Sequence, residues 1–326
     1  MNLTAERSRR PVPLNVPYHL VLAGEKRRIG RGILAIVLLY VGLFGCGLAF
    51  AWLGDQVDLR LGRANDVTAG TELTPVGMAA TLASVALMIP WSMLIQRWLY
   101  GVRGSSLHSV ASVFRPAVFG RAVLFLVPVW AVYLAIFYTA LVPYHPGEWA
   151  VSDLLFMFAA TILFAPLQSA GEEYGFRGLL FRVAASWGRG PRTALTLGVV
   201  VSAVLFAVPH LATDVWFNVY YLALGVSFAL ITWRTGGIET SSVLHAANNV
   251  LVLLLVLALQ ADLTTGAGMD RSAGIGSAVL LVPCALLAVI TAVVWYRTRH
   301  CGPSLTPLDA PASGASTPTA RVLTAE

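Results

Sequence analysis

Residues 151–170, VSDLLFMFAATILFAPLQSA, run without interruption into GEEYGFRG at 171–178. The first of these stretches carries one carboxylate, Asp153, and no basic side chain. That is the length and polarity of a helix crossing a bilayer. The second packs Glu172, Glu173 and Arg177 into six residues. An ionisable group within a membrane-spanning segment costs at least a few kcal/mol even on the lenient insertion scale. Three together mark either the polar end of a helix or a site that the helix carries.

The whole chain has the same character. Of its 326 residues 57% are hydrophobic and 12% charged, and the mean hydropathy is +0.74. Soluble domains carry about 25% charged residues. The expected fold class is therefore all-α, a polytopic membrane helical bundle of about eight transmembrane helices. Apolar runs place them at 32–53, 77–96, 122–142, 152–169 with a continuation, 193–212, 215–233, 240–260 and 276–296. The first follows Lys26-Arg27-Arg28 and reads as a spanning helix, because no apolar core of signal-peptide length precedes it. The segment 54–76 reads as an exposed polar loop. Residues 1–31 read as an N-terminal tail, and the Pro/Ser/Thr/Ala-rich stretch 300–326 as a disordered one.

The net charge of +6 does not point to nucleic acid, since the basic residues lie in short loops beside apolar runs. Counting only Lys and Arg, they favour one side of the membrane and put both termini in the cytoplasm of a multi-pass cell-membrane protein. Cys46, Cys284 and Cys301 form no C-x-x-C or paired framework, which leaves no disulfide or zinc-thiolate expectation. Gly42, Gly45 and Gly47 read as helix-packing positions.

Three polar clusters interrupt the apolar spans: GEEYGFRG at 171–178, FAVPH at 206–210 and HAANN at 245–249. On a helix Glu173 and Arg177 are four apart and share a face, the order that favours an ion pair. Glu172 points about 100° away, so the two carboxylates are not expected to face one partner. A carboxylate free of that pair can take a proton from water. Equally, the trio can mark a helix end. His210 follows Phe206 by four, at a depth matching Glu172 if the chain bends at GRGPR, 188–192. Pro209 can kink that helix. His245 shares a face with Asn249, with Asn248 beside them. An imidazole and a carboxamide can together donate to a developing oxyanion, or serve as polar contacts between helices.

E-E-x-x-x-R, F-x-x-x-H and H-x-x-x-N, in this order on successive spans, resemble the three motifs of the CAAX-protease and bacteriocin-processing (CPBP, or Abi) family of intramembrane endopeptidases. The resemblance covers about residues 155–258, within a catalytic core drawn at 151–260. Flanking it are the helices of 32–150 and a last loop and span at 261–299. The resemblance implies that Glu172 activates water with His210, that His245 and Asn249 stabilise the tetrahedral intermediate, and that Glu173 and Arg177 support them. Phe206 and Asn248 are carried as further supporting residues.

No cofactor is expected, because a proton-transfer role already accounts for Glu172. Zinc on Glu172, His210 and His245 is the alternative, though the zincin signature H-E-x-x-H is absent. The implied partner is a membrane-associated protein or peptide, prenylated CAAX-type or bacteriocin/pheromone-type, within the lipid bilayer. Rival functions are a non-catalytic membrane scaffold or bacteriocin-immunity factor and a proton-coupled transporter. Neither oligomeric state nor substrate identity is legible.

Overall fold

A computed structural model describes residues 10–62, 74–141, 147, 149–260 and 270–308. Among these, eight helices are long and apolar enough to cross a membrane. They are α1 Ile29–Arg60, α2 Pro75–Tyr100, α3 Pro116–Ala140, α4 Val151–Ala185, α5 Pro191–His210, α6 Val215–Thr235, α7 Glu239–Ala258 and α8 Ala278–Arg297. The described residues contain no strand, only two isolated bridges. The expected all-α membrane bundle is what the chain forms. Along α1, Val37, Val41, Phe44 and Leu48 are all exposed, a stripe too apolar for water and suited to lipid.

Local chemistry sets the helix ends. Proline occupies the first turn of α2, α3 and α5, where its missing N–H is not needed and its φ is already helical. Thr74 caps α2 by accepting from Gly77 N at 2.9 Å, and its hydroxyl donates to Asp58 at 2.7 Å. Asp58 thereby joins the end of α1 to the start of α2. The expected polar loop at 54–76 is corrected here, for residues 54–60 are helical and both Asp55 and Asp58 are buried. Residues 63–73 lie outside the described part. At the opposite end of the bundle, Glu239 receives Arg115 through Nε at 2.8 Å and Nη2 at 2.7 Å, locking the start of α7 to that of α3. Such forked pairing is geometrically specific.

Within the expected N-terminal tail, Tyr18 and His19 are buried, and Tyr18 lies under the Arg182 guanidinium at 3.8 Å. One further expectation is corrected, for the start of the expected C-terminal tail is not disordered. Thr306 N donates to Val16 O at 2.9 Å and Thr306 Oγ1 to Pro13 O at 2.6 Å, so residues 305–306 pair with the segment at 13–17. Residues 309–326 lie outside the described part. Of the three glycines in α1, only Gly42 meets a neighbour, Trp91, while Gly45 and Gly47 face open space.

The helices nest so that α4 sits between α2 and α7, α7 also packs on α3, and α6 packs on both α5 and α8. One contact fixes the position of the polar stretch in α4. A Cβ on Gly171 would come within 2.2 Å of Val85 O, so glycine is required for α4 to approach α2 this closely. Just beyond it, residues Glu173–Leu180 wind as a π-helix. Such turns re-aim side chains and concentrate at functional sites.

Candidate functional site

At the level of the π segment, polar residues of α4 and α7 meet. His245 stands between both glutamates, with Nδ1 at 2.8 Å from Glu173 Oε1 and Nε2 at 3.5 Å from Glu172 Oε2. The expectation that the two carboxylates could not face one partner is thus overturned. An imidazole has nitrogens on opposite edges, so one ring can span two diverging side chains. A carboxylate only accepts, so His245 Nδ1 carries the proton in this contact.

Glu173 has a second partner. Arg177 Nη2 lies 3.3 Å from its Oε1, the expected pair four residues apart. Both side chains are almost wholly buried. The guanidinium is otherwise met by ring faces, Phe206 at 4.0 Å and Phe228 at 5.0 Å. Phe206 is the hub of this packing, with its ring centroid 5.0 Å from that of His210 and 5.8 Å from that of His245.

His210 closes α5. At Pro209, where a kink was possible, the helix tightens into a 3-10 turn over Val208–His210 and ends at Leu211, whose φ is +50°. His210 Nδ1 lies 2.9 Å from Phe206 O. A carbonyl cannot donate, so Nδ1 bears the proton and Nε2 presents its lone pair. The ring is stacked on Tyr221 at 3.9 Å.

A chain of side-chain hydrogen bonds runs into Glu172 from α6 and α7. Tyr220 donates to Asn248 Oδ1 at 2.9 Å, and Asn248 Nδ2 donates to Asn249 Oδ1 at 3.0 Å. Asn249 Nδ2 donates to Gln168 Oε1 at 2.9 Å, and Gln168 Nε2 donates to Glu172 Oε1 at 2.6 Å. Every donor points toward the carboxylate. The second hydrogen of Asn249 reaches Ser169 Oγ at 3.3 Å, so both of its amide hydrogens are engaged in this state.

Glu172, His210, His245, Asn248 and Asn249 all line one cavity of about 750 Å³. Tyr133, Phe137, Tyr138, Tyr220 and Leu43 supply much of its apolar wall. Glu173 and Arg177 sit behind this surface as supports. Gln168, Ser169, Tyr220 and Tyr221 were not singled out in the sequence. Gln168 and Ser169 carried a signal, being polar residues in an apolar run one helical turn before the glutamates. The tyrosines carried none, as aromatic residues are ordinary in such helices. The described residues gather no group of three His, Cys, Asp or Glu side chains able to hold one metal ion. Glu172, His210 and His245 as arranged do not fit a three-ligand site.

The fold and cavity define a polytopic helical membrane protein with an acid, two imidazoles and carboxamides enclosed among its spans. Residues 151–251, from α4 into α7, match the family model described as type II CAAX prenyl endopeptidase Rce1-like. This is the family of peptide-bond hydrolases that the three motifs resemble. Over 119 residues the chain is 33% identical to the uncharacterized protein YyaK of Bacillus subtilis (strain 168), a stretch covering 35% of this chain. The chain thus spans only 38% of the length of that curated relative. No solved structure matches.

Proposed function

We propose that the protein is an intramembrane endopeptidase working through a glutamate-activated water, with its flanks 10–28 and 298–308 on the cytoplasmic side. The supporting observation is the convergence of Glu172, His210, His245 and Asn249 on one cavity within an apolar bundle. Water bound between Glu172 and the His210 Nε2 lone pair gives one proton to the Glu172 carboxylate. Its oxygen attacks the peptide carbonyl carbon. The resulting oxyanion accepts a hydrogen bond from Asn249, which exchanges its longer bond to Ser169 for this one. It accepts another from His245 when that ring carries protons on both nitrogens, one already held by Glu173. As the C–N bond breaks, the Glu172 carboxylic acid returns its proton to the leaving nitrogen, yielding an amine and a new carboxyl group. Such positioned proton transfer contributes about 10²–10⁴-fold to a rate. The side chains complete this cycle without a metal.

The substrate would be a membrane-associated peptide, of CAAX-prenyl or bacteriocin/pheromone type, entering from lipid along the apolar wall. The test is reconstitution in lipid vesicles with a farnesylated CAAX peptide and an unprenylated lipopeptide, followed by mass spectrometry of the products. Wild type should cleave at least one, and Glu172→Gln should lose at least 100-fold in kcat. Equal cleavage by both proteins would remove Glu172 from the chemistry. A Glu172→Gln chain that keeps full cellular function would favour a non-catalytic scaffold.

A further inference from the structure

Arg271 lies beyond the family match, in the segment between α7 and α8, yet it lines the same cavity. Among the described residues it is the one arginine or lysine that lines the cavity. The chain is built to hold it there. Arg271 O accepts from Thr213 N at 3.0 Å and Asp214 N at 3.1 Å, tying its backbone to the turn that follows His210. Asp214, itself buried, reinforces the clamp. It caps α6 by accepting from Trp216 N at 2.8 Å and receives Gly274 N at 2.9 Å on its other oxygen. The guanidinium donates through Nη1 to His210 O at 3.2 Å and lies 5.6 Å from the ring of Tyr221. That same ring stacks on His210.

Among the described residues Arg271 has no carboxylate within ion-pair distance. Arg115 and Arg177, by contrast, each have one. A guanidinium offers five donors in a planar fork. The bonds to His210 O and to the Tyr221 hydroxyl use two, leaving donors to face a cavity whose walls are otherwise largely apolar. The fork matches a carboxylate, which it can grip with two parallel bonds.

We propose that Arg271 is a specificity residue that seats a carboxylate of the substrate peptide beside His210. The carboxylate comes from the peptide C-terminus or from an Asp or Glu side chain. The proposal rests on the peptidase reading for the identity of the ligand and deepens it by naming the group recognised. It also ties substrate seating to the water site, because Tyr221 touches both Arg271 and the His210 ring.

The test uses the full chain carrying Glu172→Gln, in detergent, with a fluorescent apolar heptapeptide of alanine, valine and leucine. Three forms are compared: a free C-terminus, an amidated C-terminus, and an amidated C-terminus with one internal glutamate. At least one carboxylate form should bind about tenfold more tightly than the plain amide, as charge-assisted hydrogen bonds are the strong ones. Whichever form holds the advantage identifies the source. Adding Arg271→Gln should bring that ratio close to one, and Arg271→Lys should restore part of it. Equal affinities for all three peptides, or no binding of any, would overturn the proposal without requiring any change at 271. So would a preference that survives Arg271→Gln. Carboxylate-selective binding with no cleavage by wild type would keep the anion site and sink the peptidase reading. Cleavage of free and amidated peptides alike would do the reverse.

Discussion

The pair of Glu173 and Arg177 is nearly sealed from solvent, with side chains 0% and 1% exposed. Removing one member of such a pair leaves an uncompensated buried charge and costs about 3–5 kcal/mol. Glu173→Gln should fall in this range, since it leaves Arg177 only the faces of Phe206 and Phe228, a cation–π contact worth about 2 kcal/mol when desolvated. Arg177→Met should cost a similar amount while fitting its chain between the same rings. The double variant removes both charges together. It should therefore be more stable than the sum of the single losses by about 2–3 kcal/mol, the upper range for residues in direct contact. Unfolding in mixed micelles of increasing sodium dodecyl sulfate, followed by circular dichroism, measures all four proteins. Additivity within about 0.5 kcal/mol, as for independent sites, would show that the charges do not depend on each other.

Gly171→Ala drives a methyl group toward Val85 O and should destabilise by roughly 1–3 kcal/mol, as overpacking does. Gly45→Ala, facing open space, should not, and equal effects in the same unfolding assay would refute the helix contact. Burial, helped by the nearby charge of Arg182, pushes His19 down to about 4. The unfolded ring titrates near 6.5, so the unfolded state alone gains protons as pH falls from about 6.5 to about 4. Over that window up to about 3 kcal/mol of stability is lost. His19→Phe should flatten the dependence of melting temperature on pH, and an unchanged slope would exclude His19. Gln168→Leu severs the amide link into Glu172 and should lower kcat about 10–100-fold more than it alters KM; a pure KM effect would place Gln168 in substrate binding. Treatment with 1,10-phenanthroline should leave cleavage intact, whereas loss of activity restored by zinc would require a different ligand arrangement.

Much of the bundle was legible because spanning helices are fixed by length and hydropathy: all eight apolar runs became helices, the last four within about two residues of their expected ends, while α1, α3 and α4 extend six or more residues beyond theirs at one end. The exception at α1 is instructive. Asp55 and Asp58 looked like loop residues, yet Thr74, distant in sequence, gives Asp58 a buried partner and lets the helix continue. Glu173 and Arg177 could be paired from their spacing alone. The bridging of both glutamates by His245 could not, because ideal helical spacing ignores the π turn and the two-edged geometry of imidazole. Tyr220, Tyr221 and Arg271 were silent for another reason: their roles come from contacts between spans, and no local pattern records them.

The hydrogen bond of 2.9 Å between Thr306 and Val16 has a topological consequence. A bilayer cannot pass between two atoms that close, so the chain must leave the membrane on the same face it entered, after an even number of crossings. A single fluorescent or phosphatase reporter inserted after residue 308 would therefore assign sidedness to both flanks at once. A circular permutant joining them through a short linker would start from ends already sewn together.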